Sequence, residues 1–349
     1  MTSKTRYFVV VSLLVVGVGL GTGLVAYYVG FPTSAFLVTG GPEELRYLPS
    51  TATVVAYADV KDVMASELRQ RFRETLLPEA QENGQHEFQE LTGINIETDI
   101  DHVVAAFDAS GPGTPGKPGH GVVLARGQFA ESKIEALMRE HGAQVEVYKE
   151  KRLITAAAPQ IPVPTQTPDI ATRPIPHQDF SLTFVEPGLV ALGTTDLVRH
   201  VIDLHNGGGQ SALTNEGLME RIKALEGGNV WAVGRFDVLR ARANLPEAVA
   251  DRLPPITWFS VSGRVNGGLA AVLSAEARDA EAAQNLRDVV RGFLALAKLQ
   301  LNSKPEFQRF VDSLEIKGTG TTVALSLEVP AGVFEVLSKA MPKPPSRKE

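Results

Sequence analysis

From Tyr7 to Phe31 the chain reads YFVVVSLLVVGVGLGTGLVAYYVGF, without one charged side chain. A helix needs roughly 20 apolar residues to cross the hydrocarbon core of a bilayer, and this run is longer. The sequence therefore predicts an N-terminal transmembrane helix within residues 1–31, an anchor whose partner is the lipid bilayer. Tyr27, Tyr28 and Phe31 stand where an interfacial aromatic belt would. Lys4 and Arg6 precede the run, while Glu43, Glu44 and a lone Arg46 follow it. That asymmetry puts the N-terminus in the cytoplasm and the body outside it, periplasmic or at the cell surface. A cleaved signal peptide is the competing reading, since Thr33 and Ala35 fit a processing site, but the length of the apolar run favours a retained anchor. Gly17 with Gly21, and Gly19 with Gly23, form overlapping G-x-x-x-G spacings that permit a homodimer through the membrane helix. The two pairs point in different directions, and the general glycine content of membrane helices explains them as well.

The remainder has the composition of a folded domain, with 44% hydrophobic and 21% charged residues over the whole chain. The formal net charge is −6, and without Lys4 and Arg6 it becomes −8. An acidic body with no basic stripe repels phosphate backbones, which argues against nucleic acid as a partner. The absence of cysteine removes disulfides, thiolate chemistry and cysteine-ligated metal together.

Residues 32–46 read as a short stalk of proline, glycine and small side chains. From residue 47 one device recurs: a short apolar strand, a tight turn and an amphipathic helix. TATVVAYADV (51–60) leads into a helix opened by Asp59; GVVLARGQF, GLVALGTTD, NVWAVGRFD and TTVALSLEVP lead into helices at 132–141, 197–205, 238–243 and 333–341. Hairpins are expected at Lys149–Glu150, Pro187–Gly188 and Asn266–Gly267. The longest helix spans 278–300, with an apolar stripe through Ala282, Leu286, Val289, Val290, Phe293, Leu296 and Ala297. Hairpins alternating with helices predict an α+β fold of mostly antiparallel sheets with helices packed on one face. Two related halves, 47–226 and 227–341, follow from the element order. Residues 157–178 form a proline-rich excursion in the first half, and 342–349 form a disordered tail.

Candidate chemistry is sparse. GPGTPGKP (111–118) has the spacing of a phosphate-binding loop, but Pro118 replaces the magnesium-binding hydroxyl and Pro112 and Pro115 delete cradling N–H groups. HNGGGQ (205–210) suits a helix C-cap at Gly207. No two of the seven histidines stand three or four apart, the helix spacing of a metal pair. Asp99, Asp101 and His102 carry the types needed for acid–base work, though aspartates before an apolar strand more often cap a turn. Nothing calls for a cofactor, and no catalytic residue emerges.

YLPSTATVVAYADV (47–60) and FQELTGINIETDIDHVVAAF (88–107) resemble segments of bacterial membrane-anchored envelope proteins that carry a domain of unknown function. The resemblance implies an extracytoplasmic domain and no transferable site. The sequence therefore points to a noncatalytic envelope protein that binds or scaffolds another envelope component. A carrier of a lipid or other apolar ligand and an unrecognised hydrolase are the alternatives, the latter if Asp101 and His102 meet Asp203 or His205.

Overall fold

The computed structural model describes residues 41–69, 89–90, 92–109, 120–156, 179–225, 227–242, 255–301 and 313–330. The transmembrane expectation with Gly17, Gly19, Gly21 and Gly23, most of the stalk, the loop 111–118, the excursion 157–178, the helix 333–341 and the tail lie outside them. Among the described residues no helix is long and apolar enough to cross a membrane.

Among the described residues, twelve strands form one antiparallel sheet. In chain order they are β1 (Val54–Asp59), β2 (Ile100–Asp108), β3 (His120–Gly127), β4 (Gln144–Tyr148), β5 (Lys151–Ala156), β6 (Phe180–Glu186), β7 (Leu189–Thr194), β8 (Val230–Arg235), β9 (Ile256–Val265), β10 (Gly268–Ala277), β11 (Glu315–Lys317) and β12 (Thr322–Pro330). Their order across the sheet is β11-β12-β10-β9-β8-β1-β2-β3-β7-β6-β5-β4. The helices are α1 (Val60–Ala65), α2 (Ile96–Asp99), α3 (Glu131–Glu140), α4 (Thr195–His205), α5 (Glu216–Lys223), α6 (Phe236–Arg242) and α7 (Ala280–Leu301). The three expected hairpins form, as β4–β5, β6–β7 and β9–β10. At the first, Lys149 and Glu150 both take positive φ, 46° and 67°, the backbone that closes a two-residue hairpin with the native twist. Asp59 opens α1 as expected, its carboxylate accepting the Asp62 amide at 2.8 Å.

The two halves are not separate sheets. β1 pairs antiparallel with β8, aligning Val55 with Val233 and Tyr57 with Trp231. Those rows continue across the sheet: Val233, Val55, Ala106 and Val122 in one, Trp231, Tyr57, Val104, Leu124 and Ala191 in the next. All belong to one core, covered by Leu197, Val198, Val201 and Ile202 of α4, Leu218, Met219 and Ile222 of α5, and Leu45 and Leu48.

Helices cover both faces of the first half, not one. The intervening residues Ala58, Val103, Ala105 and Val123 face the other way and form a second core with Val60 and Val63 of α1 and Ile134 of α3. The reason is local: β2 and β3 are apolar at successive positions (Val103, Val104, Ala105, Ala106; Val122, Val123, Leu124), and successive side chains point to opposite faces. In the second half, α7 packs Ala282 and Ala283 against Ala277 and Val323 on the α1 face. On the α4 face of the second half, α5 reaches only Trp258 of β9 and Glu276 of β10, with Arg221 stacked on the one and paired with the other, and leaves open a stretch around Ser262, Val272 and Ser326.

A sheet continuous through β1–β8 predicts one cooperative unfolding transition for the body. Trp231→Ala, which empties a site 7% exposed beside that join, is expected to cost about 3–5 kcal/mol and to lower Tm without splitting the transition. Calorimetry showing two separable transitions would refute the shared core.

Candidate functional site

Two places concentrate polar chemistry. The first lies under a 3-10 turn, Glu43–Tyr47, on the α4 face. Leu45 is fully buried and Tyr47 nearly so, which turns Glu44 inward as well. Gly41 leads in with φ 78°, and a Cβ there would meet Leu45 Cδ1 at 2.7 Å, so the turn needs glycine at its entry. Arg126, at the end of β3, donates from Nε to Glu44 Oε1 at 2.9 Å and from a terminal nitrogen to Glu186 Oε1 at 2.8 Å. Tyr47 donates its hydroxyl to Glu186 Oε2 at 3.2 Å. His102 Nε2 approaches Glu44 Oε2 to 3.1 Å, close enough for an ion pair but without the alignment of a hydrogen bond. His205 closes the far side, its ring 5.7 Å from that of Tyr47.

Burial alone would push the Glu44 carboxyl up. His102 and Arg126 overcome it and hold the group at about 2. Arg126 likewise pulls Glu186 below the usual carboxylate range, whereas burial raises the Tyr47 and Tyr57 phenols. This is the reverse of what acid–base work near neutral pH requires, a carboxyl raised toward the working pH. The network ties the entry of the chain to β3 and the end of β6.

The expected acid–base group divides. His102 and His205 reach this network from two sides, but Asp101 pairs with Lys61 at 3.3 Å and Asp203 with Lys149 at 2.7 Å. Asp99 accepts the Asn95 amide at 2.8 Å, the capping role. Gly207 follows α4 with φ 79°, as a C-cap glycine should. His120 Nδ1 lies 2.5 Å from Asp196 Oδ2, and the neighbouring Thr195 hydroxyl continues to Ser181 at 2.9 Å and Thr155 at 2.8 Å. Ser181 is fully buried, so its hydroxyl is closed to a substrate. Among the described residues no group of three or more His, Asp or Glu could hold a metal ion.

The second place is a groove of about 340 Å³ on the open stretch of the α4 face in the second half. Strand pairing fixes which side chains share that face. Ser262 aligns with Trp231, Val272 with Ser262, Ser326 with Val272 and Glu315 with Ser326. Arg264, Lys317 and Glu328 complete a lining of hydroxyls and both signs of charge.

Sequence reading missed both places. Glu44 and Arg46 entered it only as flanking charges, yet Arg126 and Glu186 each close an apolar strand (GVVLAR, SLTFVE), where a charge either escapes to solvent or finds a partner. The groove's signal was the alternation Ser260, Ser262, Arg264 in WFSVSGRV, polar at every second position.

No family model and no curated protein sequence matches the chain. A solved structure, crystal form I of TP0453, is similar with a TM-score of 0.44 and 11% sequence identity, covering 86% of this chain and 99% of that one. A likeness that loose transfers nothing to this chain.

Arg126→Ala removes the partner that Glu44 shares with Glu186 and leaves Glu44 with His102 alone, and is expected to cost about 1–3 kcal/mol. Because the Glu44 carboxyl is lower in the folded chain (about 2) than its ordinary 4.5, its linkage contribution, roughly 3 kcal/mol, is present in full above about pH 4.5 and lost as pH falls toward 2. Denaturant melts of the parent and Glu44→Gln should differ by a constant amount from pH 5 to 7 and converge below pH 4; a gap that does not narrow would exclude this ionised pairing.

Proposed function

We propose that this chain is a noncatalytic protein anchored in a membrane by residues 7–31, with its body outside the cytoplasm, where it binds or scaffolds a partner protein of the same envelope along the groove of β9, β10, β12 and β11. The observation that carries the reading is the division of polar groups. Glu44, Arg126, Glu186 and Tyr47 are committed to one another and hold the chain's entry in place, whereas Arg264 lies exposed beside hydroxyls on an open stretch of the sheet. Serines and charges of both signs suit a polar polypeptide better than an apolar ligand. The orientation rests on Lys4 and Arg6 before the apolar run and Glu43 and Glu44 after it.

Two experiments test the parts separately. A reporter active only outside the cytoplasm, fused after Glu349, should be active on a full-length product that resists alkaline extraction from membranes; a cytoplasmic signal or an extractable product would overturn the anchor. A photo-crosslinking amino acid at position 264, in the full chain in cells, should capture a discrete higher-mass adduct absent when the same group stands at Gln284, exposed on α7. Equal capture at both positions, or none at 264, would remove the groove as the binding face.

A further inference from the structure

At the end of the sheet away from the groove, the edge strand β4 has an outer side whose chemistry its hairpin fixes. Lys149 and Glu150 make a two-residue turn, so Tyr148 and Lys151, which flank it, form a hydrogen-bonded pair. Along an antiparallel ladder such pairs alternate with non-bonded ones. Gln144, Glu146 and Tyr148 therefore direct their backbone groups to β5, and the N–H and C=O of Val145 and Val147 point outward. Among the described residues no partner receives them. Val147 is also 75% exposed, the barest large apolar side chain of the described residues, while Val145 on the same face packs into the second core. Such an edge is a template for one more strand. The other edge, β11, offers three residues, two of them charged.

The occupant that fits is β4 of a second copy, running antiparallel about a two-fold axis through Glu146. In that register Val145 exchanges both backbone bonds with Val147 of the second copy, and Val147 with its Val145, so every outward group of the two valines is paired. Each exposed Val147 then lies against the Val145 at the rim of the other copy's core. On the α4 face, Glu146 meets Glu146 across the axis, a like pair that alone would be destabilising. Arg199 of α4 already donates to Glu146 at 2.5 Å. The axis therefore gathers two carboxylates and two guanidinium groups, a balance that a second copy brings and an unrelated strand does not. Pairing β4 with itself also closes the assembly, because both remaining sheet edges are β11.

We propose that the body forms a two-fold dimer by joining β4 to β4 of a second copy, Val145 against Val147, with Glu146 on the axis. The joint depends neither on residues 7–31 nor on the groove, and it leaves the binding face proposed above clear.

The chain has no cysteine, so one introduced thiol reports on the axis without background. Residues opposite each other in a non-bonded pair have Cα atoms about 4.5 Å apart, within disulfide reach. In the full chain in detergent micelles, Glu146→Cys should give a disulfide-linked dimer under mild oxidation, and Gln284→Cys, exposed on α7, should not. Val147→Pro removes an N–H that β5 does not use, a position where an edge strand tolerates proline, so the monomer keeps its fold while the dimer loses half its edge bonds. Added to Glu146→Cys, it should slow the disulfide by about tenfold or more. Val147→Asp, at home in solvent but not against a valine, should do the same and serves if Tm shows that the proline disturbs the hairpin. No link at 146, a link as fast at 284, or a rate unchanged by a folded Val147 variant would overturn the dimer.

Discussion

The antiparallel join of β1 and β8 governs the rest of the structure. Each half alone would expose a long sheet edge, and an unpaired edge strand is a template for aggregation. Pairing the first strand of each half buries both edges at once and places Tyr57 against Trp231 and Val55 against Val233, so that the strongest apolar rows cross the boundary between halves. The edges that remain are five-residue β4 and three-residue β11, both short, as protected edges tend to be.

From that join follows an asymmetry between the halves. The central strands are apolar on both sides and require cover on both, which α1 and α3 supply on one face and α4 and α5 on the other. Farther out in the second half, β9 and β10 change character. Ser260, Ser262 and Arg264 replace the valines and leucines of that face, while Val261, Val265, Leu269 and Ala271 keep the other apolar. The polar alternation tolerates solvent, so this part of the sheet can stay open.

The sequence announced elements more readily than surfaces. The hairpins at Lys149–Glu150, Pro187–Gly188 and Asn266–Gly267, the Asp59 cap and the long helix were all readable, because turn chemistry and apolar spacing are local signals. The α+β class followed from them. The placement of helices on one face failed for a readable reason: HVVAAF and GVVLA are unbroken apolar runs, the mark of strands buried on both sides. The single sheet was beyond local reading, since the β1–β8 pairing joins residues 172 to 180 positions apart. The Glu44 network was hidden for the same reason. Its members come from the entry turn, β2, β3 and β6, and only the burial forced by Leu45 turns Glu44 toward Arg126.

That network also bears on how the body would sit on a membrane. Glu44, Leu45 and Tyr47 fix the chain's entry to the α4 face, so the segment arriving from residue 31 must leave the body on that side. Ten residue steps from Phe31 to Gly41 span at most about 35 Å when fully extended. If residues 7–31 lie in a bilayer, the entry turn stays within that distance of it, and the groove opens on the face that carries the turn. α7, with its exposed Val289 and Phe293, lies on the opposite face, turned away from the tether. The tether would then limit how far the body strays from the bilayer whichever way it turns, which raises the local concentration of partners held in the same membrane.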